Sequence, residues 1–145
     1  MISVCFKRVT PEVQEVLASY GEKMPPNPNT IFAMHEVRKG PATSAEARAN
    51  SVFGTREPHY LLEIFATGSS PDVGPSEETL QWAHQLRDTL QQTESENLLP
   101  TRFVPFVPPE RMDLRQVFHD RSELLADLKR VYDPRNVFSL ALVRF

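Results

Sequence analysis

Apolar and polar positions alternate in several short segments of the chain, and this period of two is typical of β-strands. The alternation predicts strands at residues 30–38 and 59–67, and a run of β-prone side chains predicts another at residues 2–8. A short extended segment is expected at residues 51–54. Residues 103–107 form a further candidate strand, which proline interrupts. Because proline cannot donate a backbone hydrogen bond, this last strand is expected at an edge of the sheet.

A second period, with apolar residues three and four positions apart, predicts three amphipathic helices. The first follows the N-cap residue Thr10, and the second follows the N-cap residue Ser76. The third runs from Ser122 to Tyr132 and stops at Asp133. The side chains expected to face inward are Val13, Val16, Leu17 and Tyr20 in the first helix, Trp82, Ala83, Leu86 and Leu90 in the second, and Leu124, Leu125, Leu128, Val131 and Tyr132 in the third.

The order of these elements, β-α-β-β-β-α-β-α with a polar loop at residues 39–50, predicts an α+β fold. We expect an antiparallel β-sheet with the helices packed mainly on one face. The chain has 145 residues, which is a typical length for one domain. The prediction is therefore a single domain over residues 1–145.

The amino-acid composition argues against several classes of binding partner. The net charge of -3 and the scattered lysines and arginines argue against nucleic acid, which needs a basic face. No stretch approaches the roughly 20 apolar residues of a membrane span, and the N-terminus lacks the pattern of a signal peptide, so a cytoplasmic protein is expected. Cys5, the one cysteine, is expected to be an inert strand residue. The four histidines lack ligand spacing, so no metal site is expected.

The segment at residues 125–138 carries the motif L-x-x-L-K-x-x-Y-D-P-x-N-x-F. This motif resembles the closing signature of berberine bridge enzyme-like, FAD-linked oxidoreductases. Residues 32–37 and 51–64 resemble two adjacent strands in the substrate-side domain of the same family, and the helix that carries Trp82 is in the corresponding place. The resemblance covers nearly the whole chain and implies the C-terminal part of that substrate-side domain.

The resemblance also implies what this sequence lacks. The family's flavin-binding half has a glycine-rich pyrophosphate loop, and no such loop is present among the five glycines here. At the last strand, where the family often has Tyr-x-Asn or Tyr-x-Ser lining the flavin, this chain has Phe103, Val104 and Pro105. No cofactor is therefore expected from this chain alone, and FAD is expected only if a partner chain completes the site.

Three residues are candidate catalytic groups. The resemblance implies that Glu36 is a catalytic base, and an apolar surround on its strand face would suit that role. The alternative is a strand-end carboxylate paired with Arg38 or another cation. His35 and His59 are the other candidates, although alternation places His35 on the face opposite Glu36. Glu63 is expected to bring a second carboxylate near Glu36. The candidate substrate-binding residues are Phe32, Met34, Arg56, Glu63 and Phe103.

Three functions remain open from the sequence. The first is cofactor-free acid–base catalysis, such as isomerisation or cyclisation, on a small organic substrate of secondary metabolism. The second is a non-catalytic small-molecule-binding module or a subunit that docks on a separate flavin domain. The third is a part of a longer FAD-linked oxidoreductase. The resemblance also implies that this segment shares its sheet with strands that lie earlier in the chains of the family. Without them a sheet edge and an apolar face would be open, so a homodimer or a complex with a partner chain is expected.

Overall fold

The computed structural model describes residues 1–37, 41, 44–50, 57–70, 72–99, 117–118 and 121–138. The chain divides into two compact units. The first unit comprises residues 1–38 and 58–100, and the second comprises residues 39–57 and 101–145. The single domain over residues 1–145 stays a prediction.

Four described strands form one antiparallel sheet in the first unit. The strands are β1 (Ile2–Phe6), β2 (Ile31–Val37), β3 (His59–Phe65) and β4 (Leu98–Leu99). Their order across the sheet is β2-β3-β1-β4, with Val4 opposite Leu62 and Cys5 opposite Leu99. The described helices are α1 (Pro11–Glu22), α2 (Ala45–Ala49), α3 (Glu77–Gln91) and α4 (Ser122–Tyr132).

The first unit has the connectivity β1-α1-β2-β3-α3-β4. With the strand order β2-β3-β1-β4, this is the split β-α-β, or ferredoxin-like, arrangement. The predicted α+β class with an antiparallel sheet is confirmed. This arrangement hosts many unrelated functions, so the function must be argued from the side chains that the sheet displays.

The starts of α1 and α3 have the caps that the sequence predicts. The Thr10 hydroxyl accepts a hydrogen bond from the backbone N–H of Val13 at 3.3 Å. The Ser76 hydroxyl accepts one from the N–H of Thr79 at 3.2 Å. Each side chain satisfies a donor that the first helical turn leaves without a partner, and such caps are worth about 1 kcal/mol each.

The main core lies between the sheet and the two helices α1 and α3. Its buried members are Val4, Phe6, Leu62 and Ile64 from the strands, Val13 from α1, and Trp82, Ala83, Leu86 and Leu90 from α3. The indole N–H of Trp82 donates to the backbone oxygen of Tyr20 at 3.1 Å and so joins the two helices. We name this side of the sheet the helical face. The predicted inward positions of α1 and α3 are confirmed here, as is the packing of both helices on one face.

Asn97 fastens the chain before β4 to the end of β1. Its side-chain oxygen accepts a hydrogen bond from the N–H of Arg8 at 2.9 Å, and its side-chain nitrogen donates to the Arg8 carbonyl at 3.0 Å. Its own carbonyl accepts from the N–H of Lys7 at 2.8 Å. Asn97 is 1% exposed, so its side chain is shielded from water. Its bonds to Lys7 and Arg8 continue the contact between the two segments beyond Phe6 and Leu98, where the pairing of β1 with β4 ends.

The loops before β2 and after β3 are held together by short polar side chains. Asn27 donates a side-chain hydrogen bond to the Thr67 carbonyl at 2.7 Å, and the Thr67 hydroxyl donates to the carbonyl of Asn29. Asn29 donates to the Gly68 carbonyl at 3.3 Å. An added Cβ at Gly68 would lie 1.4 Å from the carbonyl oxygen of Val73, so this close approach requires glycine.

Thr30 is expected to tolerate, or to gain from, loss of its hydroxyl. It is 2% exposed, and its Oγ1 has no hydrogen-bond partner among the residues that the structure describes. Because an unsatisfied buried hydroxyl costs about 1–3 kcal/mol, Thr30→Val should leave the free energy of unfolding in urea unchanged or raise it by up to about 1 kcal/mol. The matched control is Thr79→Val, which removes the contact of the buried Thr79 hydroxyl with Ser76 Oγ at 2.9 Å and should destabilise. A loss at Thr30 as large as at Thr79 would contradict the expectation.

Two segments differ from the sequence predictions. Residues 39–50 were predicted as a polar loop, but α2 forms inside it because Ser44 caps a short run of good helix formers and accepts from the N–H of Ala47 at 3.0 Å. The two-residue strand β4 was not predicted, because a pair of leucines has no period. The predicted segments at 51–54 and 103–107 lie outside the described residues.

Helix α4 has the predicted bounds but not the predicted orientation. None of its described residues is buried; Val131 is 70% and Tyr132 is 80% exposed. The prediction that this stripe faces inward is wrong. The less exposed side carries Ser122, Ala126 and Lys129, together with Leu125 from the predicted stripe. Phe138, in the turn after the helix, is also exposed.

The side chain of Asp133 holds the turn that follows α4. Its carboxylate accepts hydrogen bonds from the N–H groups of Val137 at 2.7 Å and Phe138 at 3.1 Å, and Lys129 pairs with it from one turn earlier. The bond from Lys129, helped by the two N–H groups, lowers the pKa of Asp133 against the opposing effect of burial. Asn136 has φ 50°, in the left-handed region that asparagine tolerates. The predicted stop at Asp133 is confirmed.

Candidate active site

The strand register places the predicted site residues on two different faces of the sheet. Phe32, Met34 and Glu36 lie on the helical face, since Phe32 packs against the main core and alternate residues share a face. His35, His59 and Glu63 lie on the other side, which we name the distal face. It is formed by Ser3 and Cys5 of β1, Ile31, Ala33, His35 and Val37 of β2, and His59, Leu61, Glu63 and Phe65 of β3.

His35 and Glu63 form a contact on the distal face. Their atoms Nε2 and Oε2 are 3.0 Å apart. The two residues are diagonal neighbours across β2 and β3, since His35 lies opposite Leu61 and Glu63 lies opposite Ala33. The His35 side chain is 53% exposed, whereas that of Glu63 is 13% exposed. The arrangement is thus an accessible imidazole held by a largely covered carboxylate.

The contact fixes which nitrogen of His35 can act as a base. An ionised carboxylate only accepts hydrogen bonds, so Nε2 carries the proton and donates it to Glu63. In the neutral ring Nδ1 then holds the free electron pair. A carboxylate in this position orients the imidazole and stabilises the imidazolium that forms when Nδ1 takes a proton, which is the division of roles in acid–base dyads.

Apolar side chains of the described strands lie beside the pair. Ile31, Ala33 and Phe65 flank it on the distal face, and Ser3 lies opposite Glu63 on β1. None of the four described strands contains a lysine or an arginine. Within the part of the chain that the structure describes, no group of three His, Cys, Asp or Glu side chains could hold a metal ion.

The two predicted carboxylates are not neighbours. Strands β2 and β3 do pair, as the interpretation required, but Glu36 lies opposite Tyr60 and on the face away from Glu63. Glu36 is also exposed rather than enclosed by apolar side chains. His35 and Glu36 point to opposite faces, as predicted. Sequence reasoning missed the pairing of His35 with Glu63. The available signal was that both residues have odd numbers in two strands predicted to be adjacent, and in the observed register the odd-numbered residues of these strands share a face.

The remaining predicted site residues have separate positions. Phe32 is partly buried against the core, whereas Met34 is exposed on the same face. His59 is buried at the start of β3, opposite Val37. Arg56 and Phe103 lie outside the described residues. Thus, among the predicted site residues that the structure describes, a side-chain contact joins His35 with Glu63.

Cys5 lies on the distal face but is not a reactive thiol. It is buried beside Leu61 and Leu99. Burial raises the pKa of the Cys5 thiol to about 12 by removing water from around the thiolate. Since the thiolate is the nucleophile, the predicted inert role is the one that this environment supports.

Comparison of the chain with family models, with curated proteins and with solved structures finds no match. The resemblance to berberine bridge enzyme-like oxidoreductases therefore remains a prediction from the motif. Among the helices that the structure describes, none is both long and apolar enough to cross a membrane.

Proposed function

We propose that this protein binds a small organic molecule and moves a proton on it, with the His35–Glu63 pair as the acid–base group. The observation that supports this function is the contact of 3.0 Å between an accessible imidazole and a covered carboxylate. Reactions of this class include isomerisation and cyclisation. They need positioning and proton transfer, and the chain is proposed to carry them out without a cofactor of its own.

The proposed steps use both sides of the imidazole. Nδ1 of His35 takes a proton from the carbon between the carbonyl group and the double bond of a β,γ-unsaturated carbonyl compound. The electron pair of that C–H bond forms a new C=C bond, and the π pair of the carbonyl group moves onto its oxygen to give a dienolate. Glu63 stabilises the imidazolium through the Nε2 hydrogen bond. When the dienolate re-forms the carbonyl group, its γ carbon takes the proton back from Nδ1, which gives the α,β-unsaturated isomer and restores neutral His35.

The charges near the pair favour a neutral substrate. Glu63 is negative, and the described strands contain no lysine or arginine to attract a carboxylate or phosphate. Ile31 is exposed and lies two residues before Ala33 on the same face, so apolar surface is available beside the imidazole. The proposed substrate class is therefore an uncharged, largely apolar carbonyl compound.

Deuterium exchange tests this function without knowledge of the natural substrate. Neutral aromatic and aliphatic ketones would be incubated with the protein in D2O, and loss of the proton next to the carbonyl would be followed by NMR. We expect exchange with the unchanged protein, and a 10²- to 10⁴-fold slower rate for His35→Ala, the range typical of a lost general base. Glu63→Gln should slow exchange by a smaller factor, because the base remains but loses its orienting carboxylate.

The control variant for this test is Glu36→Gln on the opposite face. It keeps the shape of the side chain and should leave the exchange rate unchanged. If Glu36→Gln abolishes exchange while His35→Ala does not, the base is Glu36, as the resemblance implies, and the proposed pair is wrong. Absence of exchange in the unchanged protein, with ketone binding retained, would favour a non-catalytic binding module.

A second candidate function is a part or subunit of an FAD-linked oxidoreductase. It is supported by the motif at residues 125–138 and by the helix stop that Asp133 makes inside that motif. Under this proposal a partner chain completes a flavin site. Titration of FAD with fluorescence quenching separates the two functions, since quenching by the chain alone or with a flavin-domain partner is expected only for the second.

The proposed setting is the cytoplasm, where the free thiol of Cys5 would stay reduced. We also propose that the chain associates with itself or with a partner chain. The β2 strand lies at an edge of the described sheet, with Ile31 and Met34 exposed, and such an edge invites pairing.

A further inference from the structure

Strand β2 at the edge of the described sheet is exposed on both of its faces. Ile31 is 47% exposed on the distal face, and Met34 is 46% exposed on the helical face. Four of the seven residues of β2 are exposed, whereas none of the residues of the inner strands β1 and β3 is. An edge strand presents its backbone N–H and C=O groups along its outer side, and another strand is the partner that fits such a row.

The sequence of β2 carries few of the features that protect an edge strand from pairing. Natural edges are protected by very short strands, by proline or lysine, or by a bulge. Strand β4, at the opposite edge of the described sheet, has only two residues. Strand β2 has seven residues without proline, lysine or arginine, and all seven pair with β3 in one unbroken register. Of the two described edges, β2 is therefore the one suited to pairing.

Two copies of β2 complement each other in one antiparallel register. Residues directly opposite each other must point to the same face of a continuous sheet, so odd-numbered residues must meet odd-numbered ones. Among the registers that satisfy this condition, only the one that places Met34 opposite Met34 pairs all seven residues. Its other opposite pairs are Ile31 with Val37, Phe32 with Glu36, and Ala33 with His35. The two Glu36 residues are then about 14 Å apart along the strands, where salt screens their repulsion.

We propose that two copies of this chain pair antiparallel through β2, with a twofold axis at Met34, so that one sheet continues across both copies. Such a contact is isologous, and one self-complementary strand serves both subunits. The helices of both copies then lie on the same side of the sheet. Because Met34 is half exposed on that side, the helices leave room for the second strand.

The pairing brings side chains of the second copy to the His35–Glu63 contact. Ala33 of the second copy lies directly opposite His35 on the distal face, and its Ile31 is a diagonal neighbour. Both extend the apolar surface beside an imidazole that is 53% exposed in the single copy. The pairing itself does not depend on the proposed acid–base function, whereas this effect on the site rests on it.

Sedimentation equilibrium of the full chain tests the association. A strand of seven residues is about 24 Å long and makes a small interface, so a Kd in the micromolar range is expected. At about 500 µM the chain of 16.5 kDa should sediment mainly as a species of twice that mass. A monomer at this concentration would overturn the proposal.

A charge at the twofold axis tests the location of the contact. Met34→Glu brings two carboxylates opposite each other, beside both Glu36 side chains, and should raise the dimer Kd by at least about 10-fold. The matched control is Val73→Glu, which changes an exposed valine of a loop in the same unit and should leave the Kd unchanged. Circular dichroism establishes that each variant is folded. A dimer that is insensitive to Met34→Glu would overturn the proposal.

Amide hydrogen exchange distinguishes strand pairing from any other kind of contact. In a single copy, alternate N–H groups of β2 point outward from β3, and in the pair these groups become hydrogen-bonded. Their exchange, followed by NMR, should therefore slow as the concentration rises and stay fast in Met34→Glu. Slow exchange of every β2 amide in a monomer would mean that a segment of the same chain already pairs there. Fast exchange of alternate amides in a dimer would mean that the contact lies elsewhere. Either result would overturn the proposal.

Disulfide cross-linking tests the register. Met34→Cys places two thiols opposite each other at a separation that a disulfide spans, so oxidised glutathione should give a covalent dimer. The control is Ile31→Cys, because the two copies of residue 31 are about 20 Å apart in this register. The buried Cys5 should not compete, since burial raises the pKa of its thiol to about 12. Equal cross-linking of both variants would mean that the register is wrong.

The deuterium-exchange assay separates the pairing from its effect on the site. The rate per subunit should rise with the fraction of dimer and fall in Met34→Glu, whose new carboxylate lies on the face away from His35. An equal rate in monomer and dimer would mean that the second copy contributes nothing to the site. Absence of exchange in a dimer that sediments and cross-links as expected would contradict the proposed function and leave the pairing supported.

Discussion

Gly68→Ala is expected to destabilise the protein by more than about 3 kcal/mol, or to prevent folding. A Cβ atom at this position would lie 1.4 Å from the carbonyl oxygen of Val73, 2.5 Å from its carbonyl carbon and 2.8 Å from the oxygen of Gly74. All three are backbone atoms, so no side chain can rotate away to make room. The loop after β3 would have to open, and overpacking of this kind is costly.

The opened loop would also lose bonds that hold the neighbouring segment. The N–H of Val73 donates to the Ser70 carbonyl at 3.1 Å, and Asn29 donates to the Gly68 carbonyl. Urea denaturation of Gly68→Ala and of Gly74→Ala measures the effect. An added Cβ at Gly74 meets nothing within 4 Å, so that control should stay within about 0.5 kcal/mol of the unchanged protein. Equal stability of the two variants would show that residues 68 and 73 do not approach as described.

Asn97→Ala is expected to lower the free energy of unfolding by about 2–4 kcal/mol. Asn97 is buried, and its amide makes two hydrogen bonds to the backbone of Arg8 at 2.9 Å and 3.0 Å. Alanine removes both and leaves a partly buried N–H and carbonyl without these partners. The end of β1 then keeps the backbone bond from the N–H of Lys7 to the carbonyl of residue 97, but loses the two side-chain bonds that hold Arg8.

The control for Asn97 is another asparagine that bonds backbone groups. Asn29 is exposed, and its side chain donates to the carbonyls of Gly68 and Ser69 at 3.3 Å and 3.4 Å. Asn29→Ala should therefore cost less than about 1 kcal/mol, since water can replace exposed bonds. Urea denaturation compares the two, and amide exchange at Arg8 should become faster in Asn97→Ala alone. Similar losses from both changes would contradict the role given to Asn97.

The sequence predicts local features of the fold well because single side chains determine them. Thr10 and Ser76 are both caps, and the stripe of Trp82, Ala83 and Leu86 is buried as its spacing indicates. The pairing of strands that are far apart in the sequence cannot be predicted from single side chains. The leucines of β4 form a strand because β1 offers Cys5 and Phe6 as partners, and no local signal distinguishes them from a loop.

Amphipathic spacing predicted the existence of α4 but not the direction of its apolar side. The spacing of Leu124, Leu128 and Val131 shows that these residues share one side of a helix. It does not show whether that side meets the same chain or another one. In α1 the equivalent side packs on the sheet, whereas in α4 it is exposed.

The candidate site depended on the register between β2 and β3. Glu36 and Glu63 would share a face if the pairing shifted by one residue, because every side chain then changes face. In the observed register Ala33 lies opposite Glu63, so His35 becomes its diagonal neighbour and Glu36 lies on the other side. Residue types thus indicated acid–base chemistry, whereas the register determined which residues meet.

The strand order has a consequence for how this fold forms during synthesis. Strand β1 leaves the ribosome before the other three described strands of the sheet, yet it lies between β3 and β4, which are made later than β2. Its apolar residues Val4 and Phe6 must wait until residues 59–65 have been translated. Helix α1 can form as soon as it is synthesised, and it packs on the same core. It can therefore shield these two side chains from water until β3 has been made. A nascent chain that stalls before β3 would therefore expose an unpaired central strand and depend on chaperones to avoid aggregation.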